Sequence, residues 1–510
     1  MHASAPRLHA GVLACLLAVG LAGCGSTVPL SDRAQGQGSG LTGGQANGAG
    51  LVDGPAGSGG TSLPAGQDPS AVDGGSGPLP DVQQNGGSAP GAGSLPSSTP
   101  GAVAPTRARV TSPVTVGFVS VDYTKAISAL GGSSSGDRSI DRFFKDYVAA
   151  FKVAGGLGGR PIKPLYYVID GTASNYETEF AAACAYLTQD NKVDMVATLG
   201  MVVPSFSKCL ASRNVPEYNG MSWTLPRAQL DRTPGFFGPV GLSHEQVAAS
   251  TVDTGLRQGW IKKGDKVGIV VDGCPEHQAV AKQIVQPRLS KAGITSVTVV
   301  PYGCPKGFSS LGEMSSGMQS AVLRFRSEGV KTVMYVTYVE NVAHSAFVNQ
   351  AESQNYVPNY LLSTTVLLQA SLGNMPERQR VGMRGIGWQP VTDLYIKPAA
   401  PSPARTACND LLKRASVPLA RNSNELDIAF TVCDLMRLMD AQLRATRGST
   451  RISDLSATRA ALKGSYTSAL GWGPVDLTDG QGPELAAPFS YRQDCKCVRF
   501  DGKPVPLARV

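Results

Sequence analysis

Histidine, tryptophan and charge are all scarce: five His, four Trp and 16% charged residues in a chain of 510. Beyond the first residues only His244, His277 and His344 remain, too sparse and too uncued for a catalytic triad. His277, near the start of a helical stretch, reads as a surface residue. There is no G-x-S-x-G elbow, no P-loop, and no G-x-G-x-x-G after a strand. No C-x-x-C pair and no paired histidines occur, so neither a metal nor a cofactor is expected. Lys and Arg are scattered and the net charge is a modest +8, with no basic run to hold a nucleic acid. From Gly25 to about Pro105 the chain is Gly, Ser, Pro and Ala with almost no aromatic or charged residue. Such a segment cannot bury enough apolar surface to order itself. As a coil of about 80 residues it would reach roughly 50 Å.

At the amino end, Arg7 precedes an apolar run from Val12 to Leu21, too short to span a bilayer. The run closes on Leu21-Ala22-Gly23-Cys24, which resembles the lipobox of bacterial lipoproteins. The resemblance implies that residues 1–23 are a signal peptide and that Cys24 is the lipid-attachment site and new amino terminus. It also implies that residues 24–107 tether the rest to the outer face of the bacterial cytoplasmic membrane. Several acyl chains give lasting attachment where one does not.

With Cys15 in the signal and Cys24 lipidated, eight cysteines remain: Cys184, Cys209, Cys274, Cys304, Cys408, Cys433, Cys495 and Cys497. Outside the cytoplasm an even set reads as disulfides, but eight cysteines allow 105 connectivities. The expected pairing is of neighbours in order, Cys184–Cys209, Cys274–Cys304, Cys408–Cys433 and Cys495–Cys497, the first three closing loops worth about 3 kcal/mol each. The fourth pair, Cys495–Cys497, makes a tight ring and is the least secure of the four.

The remainder alternates strand and helix. Val114–Val119 reads as a strand, followed by a helix with Ile140, Phe143, Phe144, Tyr147, Val148 and Phe151 on one face, stopped by Gly155-Gly156. Strands are expected at 163–168, 193–199 and 215–219, with a capping box at Ser174 and Glu177. A second set starts at the Ser243/Gln246 capping box. Its strands are expected at 266–271, 296–300, 331–336 and 359–362, with helices at 276–292, 311–328 and 340–353. A long helix at 425–444 follows, then short strands near 466–470, 489–492 and 497–500. The expected fold is α/β, two Rossmann-like lobes with parallel sheets joined by a hinge. Lobe 1 takes 108–240 and about 403–464, and lobe 2 takes 241–402 and about 465–510. Open sheets of this kind bind ligands at the carboxyl ends of their strands.

From Val114 to Phe500 the order of elements resembles the leucine/isoleucine/valine-type extracellular solute-binding proteins, which have the type I periplasmic-binding-protein architecture. The resemblance is carried by Phe151-Lys152-Val153-Ala154-Gly155-Gly156, Gly159-Arg160-Pro161-Ile162, Gly241-Leu242-Ser243 and, in part, Trp472-Gly473-Pro474-Val475-Asp476 with Gly480. It implies a non-enzymatic clamp that closes on a small solute and hands it to ABC permease subunits. Candidate ligand contacts in the first lobe are Asp122, Tyr123, Ser135, Gly200, Met201, Ser205, Gly220, Met221 and Ser222, with Trp223 beside them. Ser205 is read as capping a helix whose free N–H groups can hold a carboxylate. The second lobe contributes Ser243, Asp272, Tyr338, Glu340 and Thr365.

One departure from that pattern concerns the ligand ammonium, which amino-acid binders hold with acids at the lobe crossing and late in the second lobe. Here those positions fall on Ser243 and on Thr364 or Thr365, where an ammonium would be desolvated without a partner. That argues against leucine and leaves an uncharged or anionic ligand, such as an amide, an aromatic acid or a sugar-like polyol, on an equal footing. Two alternatives stand beside transport. One is a sensing receptor or accessory lipoprotein using the same clamp. The other is a cell-wall acyltransferase, suggested by Ser205-Phe206-Ser207-Lys208, although no K-T-G follows.

Overall fold

The computed structural model describes residues 108–125, 138–338, 340–368, 372, 375–393, 400–420, 422–507 and 510. Cys24, the tether and Ser135 lie outside the described residues. The first sheet is built from β1 (Val114–Asp122), β2 (Ile162–Asp170), β3 (Met195–Leu199), β4 (Glu217–Asn219) and β5 (Phe236–Phe237). Its order is β2-β1-β3-β4-β5, parallel throughout. The alternation of a strand sorts β1 between two cores. Val114, Val116 and Phe118 join one core, and Val119 and Val121 join the other.

The first of these cores receives the helix Ile140–Val153, whose Phe143, Phe144, Tyr147, Val148 and Phe151 are buried at the expected spacing. That helix ends where Gly155 and Gly156 take positive φ, a conformation glycine adopts without a Cβ penalty. A buried ion-pair network joins it to the helix Ser423–Ala445: Arg138 meets Asp146 at 3.1 Å and Glu425 at 3.1 Å.

The second sheet comprises β6 (Lys266–Asp272), β7 (Ser296–Tyr302), β8 (Thr332–Val336), β9 (Asn359–Ser363), β10 (Met383–Gly387), β11 (Leu485–Arg492), β12 (Cys497–Phe500) and β13 (Val505–Pro506). The order is β12-β11-β10-β9-β8-β6-β7, with β13 on β11. Five strands are parallel, but β11 pairs antiparallel with β10, β12 and β13. The expected parallel sheet is present in β6 to β10, and the late strands β11 to β13 add an antiparallel edge to it.

Several local expectations shift. Residues 466–470 form no strand. Tyr466, Ala469 and Leu470 are buried in the first lobe's core, and so are Val475 and Leu477. The return to the second lobe, expected near 465, thus falls between Leu477 and β11. Likewise Val391 already belongs to the first lobe's core, ahead of the boundary expected near 402. At the helix Tyr176–Ala185 the cap is Asn175, accepting from the Thr178 N–H, one residue beyond Ser174. Ser243 does cap the helix His244–Arg257, accepting from the Gln246 N–H.

The three crossings between lobes are tied together. The Gln389 side chain donates to the Val240 carbonyl at 2.6 Å, and Gln481 accepts from the Ser243 N–H at 2.6 Å. All four cysteine pairs form in sequence order: Cys184–Cys209, Cys274–Cys304, Cys408–Cys433 and Cys495–Cys497.

Candidate functional site

A cavity of about 610 Å³ opens between the two sheets, lined by loops that follow their strands. From the first lobe come Tyr123 after β1, Gly171 to Glu177 after β2, Gly200 to Pro204 after β3, and Met221 and Trp223 after β4. From the second come Glu276 after β6, Cys304 to Phe308 after β7, Tyr338 and Asn341 after β8, and Leu367 after β9. Every contributing loop sits at a strand's carboxyl end, where parallel α/β sheets leave their ligand crevice.

Aromatic and aliphatic surface dominates these walls, and the polar tips are tied back. The Tyr123 hydroxyl donates to the Gly200 carbonyl at 2.8 Å, and the Tyr176 hydroxyl to the Gly171 carbonyl at 2.7 Å. Tyr338 donates to the Glu276 carboxylate. Burial raises the Tyr123 hydroxyl and pushes Tyr176 up to about 12. Burial, then Glu276, raises Tyr338 further. All three therefore stay protonated and offer ring surface rather than charge. The cavity's charged side chains are Glu177, Glu276 and Lys306, with Glu177 accepting from Ser205.

Of the residues singled out from sequence, Tyr123, Gly200, Met201, Met221 and Tyr338 line this cavity, with Trp223 beside them. The other described candidates lie off its walls. Asp122 binds the Thr124 N–H at 2.9 Å, and Gly220 donates to the Thr198 carbonyl and packs against Thr431. Ser205 is exposed in the first turn of the helix Pro204–Ser212, which has Val203 as its cap residue; the capping role expected of Ser205 is not made. Ser222 is buried, and its carbonyl accepts from the Leu242 N–H. Ser243 is engaged at the crossing. Glu340 is buried and accepts from Ser363 at 3.1 Å and from Thr365. Burial pushes its carboxyl up to about 7.

Asp272 stands behind Tyr338. It accepts from the Tyr338 N–H at 3.1 Å and from the Cys274 N–H at 3.1 Å, and its oxygens lie 2.8 Å from Nδ1 of His277. His277 is fully buried rather than on the surface, with its ring 4.1 Å from Tyr338 and 4.2 Å from His244. Asp272, Cys274 and His277 lie close enough to suggest a metal, but Cys274 is bonded to Cys304 and has no thiolate to offer.

Sequence reading missed the loops after β2 and β7 and both cavity carboxylates. From sequence, Glu177 reads as part of a helix cap and Glu276 as a helix start. The usable signal was positional: each follows a strand of a parallel sheet by a few residues.

No family profile matches the sequence, and no curated protein matches it. Solved structures do. A solute-binding protein of an ABC transporter from Rhodopseudomonas palustris HaA2, in complex with p-hydroxybenzoic acid, superposes with a TM-score of 0.55 at 14% identity, covering 78% of this chain and 98% of its own. The chain has the type I periplasmic-binding-protein fold. A leucine-binding protein from Thermotoga maritima shares it (TM-score 0.53, 13% identity, covering 77% and 99%). So does a fatty-acid ABC transporter substrate-binding protein from Thermomonospora curvata (0.52, 14%, 78% and 95%). Among the described residues of this periplasmic-binding-protein fold, no helix is long and apolar enough to cross a membrane.

Proposed function

We propose that the protein is a lipid-anchored, extracytoplasmic solute-binding protein, without catalysis, that captures a small molecule between its lobes for delivery to an ABC-type permease. The observation that carries this reading is the cavity at the strand ends, walled by both lobes. A ligand touching both lobes favours the closed arrangement by the contacts it makes only there.

The solute is proposed to be largely apolar and larger than a branched-chain amino acid. At about 610 Å³ the cavity falls within the range of roughly 300–1,000 Å³ that drug-sized ligands fill. Its walls carry Trp223, Tyr176, Tyr338, Phe308 and three methionines, which suit ring or chain hydrocarbon. The acids of this cavity, Glu177 and Glu276, lie on opposite lobes and already accept from Ser205 and Tyr338, while Lys306 on the same walls suits an acidic head group.

Mass spectrometry of small molecules released from the purified full chain tests the proposal, with calorimetry against leucine, a hydroxybenzoate and a medium-chain fatty acid. An apolar occupant, or tight binding of one of the latter two, supports it. Tight binding of leucine alone, or of none with an empty protein, overturns it. The anchor is tested separately: Cys24→Ser should move the protein from the membrane fraction to the soluble one.

A further inference from the structure

Two loops that line the cavity from opposite lobes meet each other. The Tyr176 N–H donates to the Lys306 carbonyl at 3.0 Å, and the Phe308 N–H donates to the Ala173 carbonyl at 2.9 Å. One loop follows β2 in the first lobe and the other follows β7 in the second. Tyr176 is the first residue of its helix, so its N–H has no partner within the helix, and the opposite lobe supplies one.

Gly307 lies at the centre of this contact. Its φ of 178° is extended backbone, open to any residue, so conformation does not require glycine here. Proximity does. A Cβ at Gly307 would stand 2.3 Å from the Ser174 carbonyl oxygen and 2.7 Å from that of Ala173, and because both are backbone atoms no flexible side chain is there to yield.

The second-lobe loop is also anchored from behind. Cys304, at its start, is bonded to the buried Cys274 ahead of the helix that follows β6, with Cα atoms 4.8 Å apart. The disulfide thus fixes the loop to the rigid end of β6.

We infer that residues 304–308 form a clasp that holds the lobes closed through backbone bonds to residues 173–176. Gly307 is the positioning residue that permits the approach, and Cys274–Cys304 keeps the clasp in reach. Because Pro305 to Phe308 also line the cavity, closing the clasp completes the solute's enclosure. That consequence rests on the function proposed above, but the clasp itself does not.

Hydrogen exchange read by mass spectrometry on the full chain, with no solute added, tests the inference. Gly307→Ala should speed exchange at the Tyr176 and Phe308 amides at least about tenfold, the size expected for losing two such bonds. The strands β1 and β6 should keep their protection. The Cys274→Ser/Cys304→Ser double variant should speed exchange in the 173–176 segment as well. Gly312→Ala, where an added Cβ meets nothing within 4 Å, should change neither loop. Unchanged exchange in the 173–176 segment for both Gly307→Ala and the double cysteine variant overturns the clasp. A protein that shows the clasp effects yet yields no solute leaves the clasp standing and counts against solute capture instead.

Discussion

Replacing Asp434 with alanine should cost the protein about 3–5 kcal/mol, although the residue touches no part of the cavity. Asp434 is fully buried on the helix Ser423–Ala445, beneath the segment that runs from Tyr466 to Gly471. Its carboxylate accepts from the Ser468 hydroxyl at 2.6 Å, from the Ala469 N–H at 2.8 Å and from the Leu470 N–H at 3.0 Å. Arg437, 3.5 Å away, supplies a charge partner. Hydrogen bonds to a charged group contribute about 1.5–3 kcal/mol each, and a buried donor left without a partner costs about 1–3 kcal/mol. Three such donors share one acceptor and do not add fully, which sets the range above. Asp434→Asn keeps one acceptor oxygen but turns an NH₂ towards backbone donors, so it should fall between wild type and alanine. Urea unfolding followed by circular dichroism gives the measurement. A loss below about 1 kcal/mol for the alanine variant would refute the claim that this carboxylate, rather than apolar packing, shapes residues 466–471.

Three further outcomes follow from the same structure. Glu217 and Glu340 are buried carboxyls that burial pushes up to about 7. Folding therefore favours their protonated forms, and that stability is complete below the ordinary glutamate range and lost as pH rises through about 7. Tm should fall between pH 5 and pH 8, and the double variant Glu217→Gln/Glu340→Gln should flatten that slope. Replacing Cys408 and Cys433 by serine opens a link across 25 residues and should cost about 3 kcal/mol in denaturant. Trp223→Ala, which strips a large wall from the cavity, should weaken binding of the copurifying solute at least about tenfold by calorimetry, with unfolding midpoints checked alongside.

The alternation of strands and helices was legible because it is local. The helix Ile140–Val153 announces itself in the spacing of Phe143, Phe144, Tyr147, Val148 and Phe151. The disulfide order is the expected pairing of sequence neighbours, and it forms because each pair joins adjacent elements. What escaped is what depends on distant partners. Tyr466, Ala469 and Leu470 look like strand residues, but they are buried by a turn that Asp434 holds in place. His277 looks like a surface residue near a helix start, yet Asp272 and Tyr338 draw it inside. β10 was missed because Met383–Gly387 is short and broken by glycines, and only its neighbours β9 and β11 make it a strand. At the site, the loops after β1, β3 and β4 were found through strand ends. The loops after β2 and β7 carry no signal that marks them as walls of a cavity, because Cys304 reads only as a disulfide partner, Glu177 as a helix cap and Lys306 as a scattered surface charge until the two lobes meet.

Neither lobe is a continuous piece of chain, and this constrains how the molecule is born. The first sheet's core waits for residues as late as Leu477, and the second waits for Phe489, Tyr491 and Val498. A nascent chain that has emerged only as far as residue 400 carries two half-covered sheets, with β10 still offering a bare edge. Completion must wait until β11 arrives to seal that edge. Chains cut before β11, at about residue 480, should therefore yield sticky, protease-sensitive material rather than a smaller working clamp.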